Sequence, residues 1–494
     1  MKYLSSSRVR PVAPLIALTL LLASLIADSY AQGIALPDIG SPSGNLLSPA
    51  EEKRLGQAFM RSVRGSMRVI DQPLMSAYIQ SIGNHLVSNS NAQGRTFYFF
   101  LVDSPQVNAF AGPGGYIGIN TGLVTTTESE SELASVIAHE IAHVTQNHLV
   151  RTFDAVRQMS MPATALAIAA LVLGAASGNT EAGLAAATGL QAGVAQRQIN
   201  FTRAHEEEAD SIGIKALAES DFDPQAMAAF FGRMGKATRL YDSGQLPEYL
   251  RTHPISSNRL ADAQARADQY PYRQTPDSLH YHLLRSTLQV LEFKTPKEAV
   301  EHFHDTLRDR RFRNEDGQRY GYVLALIADE QYAEAAKQLK ILARKNPEEI
   351  AYIATEALLL KKSGQPEKGL QVLRDGLDLY PGNYPLSVYY AQALLDEGLA
   401  ADALKLVEQQ LRGRPDDGQL NKLAARAAGD SGQNNLAHQY MAEYYYQSGA
   451  LEPAIQQLEI ALREKGISEF RSAQMTARLD LMNEEMEELK QRNN

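Results

Sequence analysis

Residues 139–143 have the sequence His-Glu-Ile-Ala-His, which suits metal binding if the segment is helical. On an α-helix, positions i and i+4 lie about 40° apart, so His139 and His143 project from one face. Two imidazoles on one face supply half of a zinc site, and Glu140 stands close enough to the open metal position to act as a general base. The alternative is a pair of surface histidines beside a solvated Glu.

A catalytic zinc site takes three protein ligands, so one more must come from elsewhere in the chain. One class of zinc hydrolases places a His six residues after the second His, with a Gly between them. Leu149 and Gln146 occupy those positions here and exclude that class. His148 is one residue out of register, and we interpret it as a helix-end residue or one that contacts a ligand.

Another class takes its third ligand, a Glu, from a later helix. Glu206 and Asp210 stand at i and i+4 and can face one point. Glu206 would then bind zinc, while Asp210 would accept the free N–H of a ligand His and fix its tautomer. The alternative is a solvated acidic helix start, where carboxylates suit the helix dipole.

Capping and apolar patterns predict the elements that position these residues. Ser129 and Glu132 form a capping box that opens a helix running to about Leu149. The apolar positions of this helix lie on the side away from the two histidines. The other predictions for this part are helices after Ser48 and over 72–88 and 202–218, and strands Thr96–Val102 and Tyr116–Ile119.

The second half of the sequence is predicted to be entirely helical and repetitive. Proline recurs every 34 residues, with a small residue twelve positions before each proline. These positions are Pro347, Pro381 and Pro415, with Ala335, Gly369 and Ala403. Such a period is typical of tetratricopeptide repeats, which bury their faces by stacking. We predict one unpaired helix near 417–430, where the register jumps; an irregular helical domain is the alternative.

The N-terminus and the composition indicate an exported protein. Lys2, Arg8 and Arg10 precede an apolar run, and residues 1–31 are predicted to be a signal peptide, followed by a linker over 32–47. An uncleaved N-terminal anchor is the alternative. The absence of Cys suits a bacterial periplasm, and the net charge of −9 argues against nucleic acid as a partner.

Residues 160–195 are rich in Gly and Ala and only weakly hydrophobic. Met161–Ser177 is at the short limit for spanning a bilayer. We favour a pair of mobile helices over the cleft, acting as a lid or making peripheral contact with the membrane. A buried helical hairpin is the alternative.

Three further segments complete a family resemblance. Asn108–Ala111, then Pro113–Ile117, precede the His pair, and Thr252-His253-Pro254 with Arg259 follows Glu206. Together with the His-Glu-x-x-His motif, they resemble the zinc metalloprotease family of the CAAX prenyl proteases and HtpX, over about 45–270. Members of that family with tetratricopeptide repeats and a signal peptide work in the periplasm, and this chain resembles them over almost its whole mature length.

The resemblance implies endoproteolysis with one Zn²⁺ per chain. His139, His143 and Glu206 hold the metal, and Glu140 takes a proton from the attacking water and passes it to the leaving amine. The segment Asn108, Ala109, Phe110 and Ala111 pairs with an extended substrate, as strand edges do. The alternative for this segment, and above all for Phe110, is a turn-and-core role.

His253 and Arg259 are expected near this site, with open roles. His253 is interpreted as a catalytic donor to the oxyanion or as a fourth zinc ligand that keeps the enzyme latent until the segment 246–258 moves. Arg259 is interpreted as orienting a carboxylate or the substrate backbone, or as forming a surface salt bridge.

The predicted architecture is therefore mainly α. A zincin domain of the gluzincin type with a small β-sheet (48–270) is followed by an all-α tetratricopeptide-repeat solenoid (276–490). The resemblance implies misassembled outer-membrane β-barrel proteins as substrates, a chaperone-like role, and docking to the barrel-assembly machinery through the repeats. The rival is a non-catalytic scaffold with a structural or latent zinc site.

Overall fold

The computed structural model describes residues 48–92, 94–149, 203–240, 248–273, 275–464 and 466–493. The predicted signal peptide, the linker and the segment 160–195 lie outside these residues. Helices and strands are numbered below in chain order over the described residues. Within this part of the chain, we find no helix with the length and apolar character needed to cross a bilayer.

The first part of the chain combines helices with one small sheet. Its helices are α1 Pro49–Ser66, α2 Pro73–Ser88, α3 Thr121–Thr126, α4 Glu130–Thr145, α5 Arg203–Glu219, α6 Gln225–Leu240, α7 Glu248–Thr252 and α8 Ser257–Ala267. Its strands are β1 Val69–Ile70, β2 Tyr98–Val102, β3 Ala109–Ala111 and β4 Tyr116–Asn120. The sheet order is β1-β2-β4-β3, with β2 parallel to β4 and the outer strands antiparallel to their neighbours. β3 is thus an edge strand.

Alternation along β2 explains why both faces of the sheet are covered. Phe99 and Leu101 pack into the larger core with α2 and α4, while Phe100 and Val102 pack against α1. The predicted strands over 96–102 and 116–119 are confirmed, as is the helix that begins after Ser48, whose capping box is formed. Side chains from both layers therefore hold the sheet and its edge strand in place.

The second part of the chain is a stack of helices. They are α9 Leu279–Glu292, α10 Pro296–Arg308, α11 Glu315–Ala328, α12 Tyr332–Lys345, α13 Ile350–Lys362, α14 Pro366–Leu379, α15 Tyr384–Asp396, α16 Ala400–Leu411, α17 Gly418–Asp430, α18 Asn434–Gln447, α19 Leu451–Arg463 and α20 Glu469–Asn493. From α10 onward successive helices pack on one another, and α9 packs against α11. Ala335 and Ala403 are fully buried. At Gly369 an added Cβ would lie 2.8 Å from the carbonyl oxygen of Ala357, which explains the small residue.

Two details of the predicted helices are wrong. The helix over 418–430 is paired, because α17 packs against both α16 and α18. The period continues at Ala437, which stands 34 residues after Ala403 and packs against the same core. The helix α4 ends at Thr145 rather than near Leu149, because Asn147 adopts a left-handed conformation with φ of 54°.

Candidate metal centre

The site is built where α5 crosses α4. A Cβ added at Gly213 would lie 3.3 Å from the backbone nitrogen of His139, so the absence of a side chain lets the two helices approach closely. Glu206 and Asp210 stand on the same face of α5 as Gly213, at helical spacing. The sequence pattern of α5 thus presents both carboxylates to the histidines of α4.

Four side chains converge at this crossing. His139, His143, Glu206 and His253 each offer one nitrogen or oxygen, and these atoms lie within 4.8 Å of one another. The Nε2 atoms of His139 and His143 are 3.0 Å apart, and Nδ1 of His253 lies 3.1 Å from both carboxylate oxygens of Glu206. None of the four side chains exceeds about 3% exposure.

The spacing of these atoms fits a tetrahedral metal ion. Bonds of about 2.0–2.1 Å to a tetrahedral zinc separate the ligand atoms by about 3.3–3.4 Å. The carboxylate of Glu206 lies 3.5 Å from Nε2 of His139 and 3.4 Å from Nε2 of His143. Imidazole nitrogens with one carboxylate are a donor set that zinc accepts. The residues present therefore fit a metal ion.

Asp210 and Arg259 contact the metal-binding residues on the side away from the metal position. Asp210 Oδ1 lies 3.0 Å from Nδ1 of His139, the nitrogen on the far side of that ring. Arg259 donates to both oxygens of Asp210 at 2.8 Å and also lies 2.8 Å from Glu206. This paired geometry is the one in which a guanidinium holds a carboxylate most firmly. Among the roles considered for Arg259, these contacts agree with the one in which it orients a carboxylate.

Burial and charge shift the pKa values of these groups in opposite directions. Burial opposes the charged form of His139, but Asp210 and Glu206 outweigh it and raise its pKa to about 10. Burial holds the pKa of His143 well below its usual range. Burial would raise the pKa of Glu206, yet the three neighbouring imidazoles hold it well below the usual range. Glu206 is thus ionised, as a metal ligand must be.

Glu140 lies beside the cluster without being part of it. It is 1% exposed, and its Oε1 is 3.5 Å from Nε2 of His253. Burial raises its pKa, although the Ala111 backbone N–H donates to the carboxylate. A carboxylate with a raised pKa next to a metal position is suited to accept and return a proton near neutral pH.

The edge strand β3 reaches the site through its backbone. Asn120 N–H donates to Asn108 C=O and Gly112 N–H donates to Tyr116 C=O, so the even-numbered residues pair with β4. By alternation, the backbone groups of Ala109 and Ala111 point away from β4. The Phe110 side chain is buried with Phe100 in the core, which is the turn-and-core alternative for that residue.

The segment that carries His253 is attached to this same edge. Tyr249 N–H donates to Val107 C=O at 3.0 Å, and the Tyr249 ring lies 5.1 Å from the ring of His253. Tyr249 is fully buried, and burial raises the pKa of its phenol well above the usual range. Sequence reasoning missed Tyr249, because a lone aromatic residue in a short helix gives no signal of its neighbours.

A buried cluster of metal-binding side chains, joined to stacked helix pairs, defines this chain as a metalloendopeptidase with tetratricopeptide repeats. Residues 73–267 match peptidase family M48, and residues 360–427 match a tetratricopeptide-repeat family. The chain is 33% identical to the beta-barrel assembly-enhancing protease of Escherichia coli (strain K12), over 94% of this chain and 95% of that protein. It is 31% identical to the protein of the same name from Yersinia pestis, over 95% of this chain and 97% of that protein.

A more distant relative matches less than half of the chain. The mitochondrial metalloendopeptidase OMA1 of Bos taurus is 26% identical over 45% of this chain and 42% of that protein. The chain belongs to the family of the β-barrel assembly-enhancing proteases, within peptidase family M48. The predicted fold class and the predicted metallopeptidase activity are confirmed.

Proposed function

We propose that this chain is a zinc endopeptidase of the periplasm that acts on misassembled outer-membrane β-barrel proteins. The observation that carries the proposal is the buried cluster of His139, His143, Glu206 and His253 beside Glu140. One zinc ion per chain is held by His139, His143 and Glu206, with Asp210 fixing the ring of His139. The names of the relatives support the choice of substrate class.

The residues around the metal position have different roles in the proposed reaction. A bound zinc ion supplies Lewis-acid polarisation of the scissile carbonyl and acidifies water. Glu140 accepts the proton of the attacking water at its carboxylate and returns it to the leaving amine. Its burial and raised pKa support this role. Asp210 and Arg259 keep the ring of His139 and the carboxylate of Glu206 in place.

The substrate lies in extended conformation along β3. The backbone groups of Ala109 and the carbonyl of Ala111 point outward from the edge strand and are available to an added strand, whereas the Ala111 N–H donates to Glu140. Asn108 pairs with β4 through its carbonyl, so it helps to position the edge. The role of Phe110 is to hold the strand in the core, through its contact with Phe100.

His253 acts as a fourth ligand in the resting enzyme. Its Nδ1 belongs to the converging donor atoms, at 3.1 Å from Glu206 and 3.3 Å from His139 Nε2. A fourth protein ligand fills the position that a catalytic zinc keeps open for water. The enzyme is therefore latent until α7 and His253 move away, and the oxyanion role is the second candidate.

The repeats bind protein, and the barrel-assembly machinery is the proposed docking partner. Residues 1–31 act as the signal peptide, 32–47 as a linker, and the peptidase and repeat domains span 48–270 and 276–490. For residues 160–195, the proposed role is to cover the cleft or to contact the membrane surface. These assignments rest on the sequence and on the family.

The test of the proposal is the zinc content of the purified full chain. Wild-type protein is expected to contain one zinc per chain, and His139→Ala and Glu206→Ala are expected to contain far less. Full occupancy in both variants, or no zinc in wild-type protein prepared with excess zinc, would overturn the assignment.

A further inference from the structure

A short turn follows the metal-binding helix. α4 ends at Thr145, and Asn147 takes a φ of 54°, which interrupts the helix. Arg95 holds this turn, because it donates to the Val144 carbonyl at 2.8 Å and to the Asn147 side chain at 2.9 Å. The turn places the next residue, His148, beneath the end of α4.

His148 is completely buried and contacts the back of a proposed ligand. Its Nδ1 lies 2.8 Å from Nδ1 of His143, the ring nitrogen that faces away from the donor cluster. Its Nε2 lies 3.1 Å from a carboxylate oxygen of Glu208. The ring of His205 stacks on it, with 4.3 Å between centroids and 16° between planes. A chain of contacts thus runs from His143 through His148 to Glu208.

The tautomers of both rings follow from this geometry. His143 turns Nε2 toward Glu206 and His139, so a metal bound there leaves the proton on Nδ1. We take that N–H to donate to Nδ1 of His148, which lies 2.8 Å away and must then be unprotonated. His148 carries its own proton on Nε2 and donates it to Glu208. Each ring nitrogen of His143 and His148 then acts as a donor, an acceptor or a metal ligand.

We propose that His148 and Glu208 form a relay that orients His143 and fixes its tautomer for metal binding. The proposal rests on the proposed function, since it takes His143 as a zinc ligand through Nε2. Hydrogen bonds to the far nitrogen of a ligand His set its orientation and basicity. His139 receives the same support directly from Asp210, whereas His143 receives it through an interposed imidazole.

A filling role for His148 would have a different consequence. If the ring only occupied space under α4, an apolar side chain of similar size would serve equally well. The relay instead requires an acceptor facing His143, which Leu lacks. Asn offers its side-chain oxygen close to the position of Nδ1, so it keeps the acceptor but loses the link to Glu208. Comparing Leu with Asn therefore separates packing from hydrogen bonding.

The experiment measures zinc affinity in the full chain by competition with a chromophoric chelator. His148→Leu is expected to weaken zinc binding by about 10- to 100-fold and His148→Asn to recover most of that loss. Glu208→Leu removes the acceptor of the His148 Nε2–H and is expected to weaken zinc binding by about threefold or more. His85→Asn is the matched control, because His85 bonds the Ser220 carbonyl in the same domain without contact to the site. The d–d absorption spectrum of the Co²⁺-loaded protein is expected to change in His148→Leu and not in His85→Asn.

Three outcomes overturn the relay or its premise. Wild-type affinity and Co²⁺ spectrum in a folded His148→Leu protein would show that the ring only fills space. If that variant does not fold, unchanged affinity in Glu208→Leu, or equal losses in His148→Asn and His148→Ala, would overturn the proposal. A wild-type protein that binds no zinc would overturn the proposed function itself, and that result is distinct from any difference among the variants.

Discussion

The backbone N–H of Tyr249 donates to the carbonyl oxygen of Val107 over 3.0 Å, just before the edge strand β3. Four residues on, His253 N–H donates to the Tyr249 carbonyl at 2.7 Å, so α7 links the edge strand to the donor cluster. An added substrate strand would use outward-facing backbone groups such as the Val107 carbonyl. We therefore expect substrate entry along β3 to displace Tyr249 and to withdraw His253 in one movement.

His253→Ala is expected to raise peptidase activity. The substitution removes the fourth donor and frees the metal position for water, while His139, His143 and Glu206 remain. The measurement is the rate of casein cleavage by the full chain at equal zinc content, with His85→Asn as control. An increase of several-fold or more is expected. A marked fall in turnover, with zinc content and folding unchanged, would instead favour an oxyanion role for His253.

Glu140→Gln is expected to bind zinc and to cleave nothing measurable. Gln keeps the size of the side chain but cannot take a proton from water, and a general base contributes about 10²- to 10⁴-fold to rate. Zinc content and casein cleavage are measured on the same preparation. This variant also separates the enzyme from a scaffold with a structural zinc site, because a structural site has no use for Glu140. Cleavage at the wild-type rate would remove Glu140 from the mechanism.

Each half of the metal centre could be predicted because its spacing is local, and the resemblance to zinc metalloproteases joined the two halves. His139 and His143 lie one turn apart on a capped helix, and Glu206 and Asp210 repeat that spacing on α5. The contact of His148 with His143 could only be partly foreseen. It depends on the left-handed Asn147 and on Arg95, which stands 52 residues away from Asn147 in sequence.

Other features of the fold lay beyond the sequence pattern for different reasons. β3 has only three residues, which is too short for alternation to reveal a strand. The prediction of an unpaired helix near 417–430 is wrong because the register does not jump there: Ala437 continues the 34-residue period of Ala403. A small residue marks the 34-residue repeat reliably only when the helices that lie between two such residues are also known.

Removal of the metal is expected to lower the stability of the peptidase domain as well as its activity. The proposed zinc joins α4, α5 and the segment after α7, so it binds the folded chain and not the unfolded one. A ligand present at 1,000 times its Kd stabilises a fold by about 4 kcal/mol. Dialysis against a chelator should abolish cleavage and lower Tm, and added zinc should restore both. An unchanged Tm in chelator, with zinc shown to be gone, would contradict this.

Arg259 is expected to stabilise the folded protein even without metal. Its guanidinium is 3% exposed and pairs with Asp210 and Glu206, so Arg259→Ala removes one charged partner from each of two buried carboxylates. Breaking a buried pair in this way costs about 3–5 kcal/mol of unfolding free energy. Urea denaturation of the metal-free proteins measures the loss, with exposed Arg463→Ala as control. Arg259→Lys should recover only part of it, because Lys lacks the two-pronged geometry. If Arg259→Ala were as stable as the wild-type protein, the pairing of Arg259 with Asp210 and Glu206 would be contradicted.

Glu130 and Asp277 join the peptidase part to the first helix of the second part. Glu130, at the first turn of α4, accepts hydrogen bonds from Ser278 N–H, the Ser278 hydroxyl and Tyr78. In return, Asp277 accepts from Glu130 N–H at 2.8 Å. The starts of α4 and α9 therefore cap each other, and both helices have carboxylates at the end that favours negative charge.

Glu130→Ala is expected to loosen this junction. The three donors lose their acceptor in a site that is 9% exposed at Glu130, which costs about 1–3 kcal/mol. Hydrogen exchange should become faster at the first turns of α4 and α9, and the urea midpoint should fall. Glu367→Ala, an exposed acidic residue at the start of α14, removes the same charge at a helix start and should change little. Equal effects of the two substitutions would mean that helix-dipole charge alone, and not the reciprocal capping, stabilises the junction.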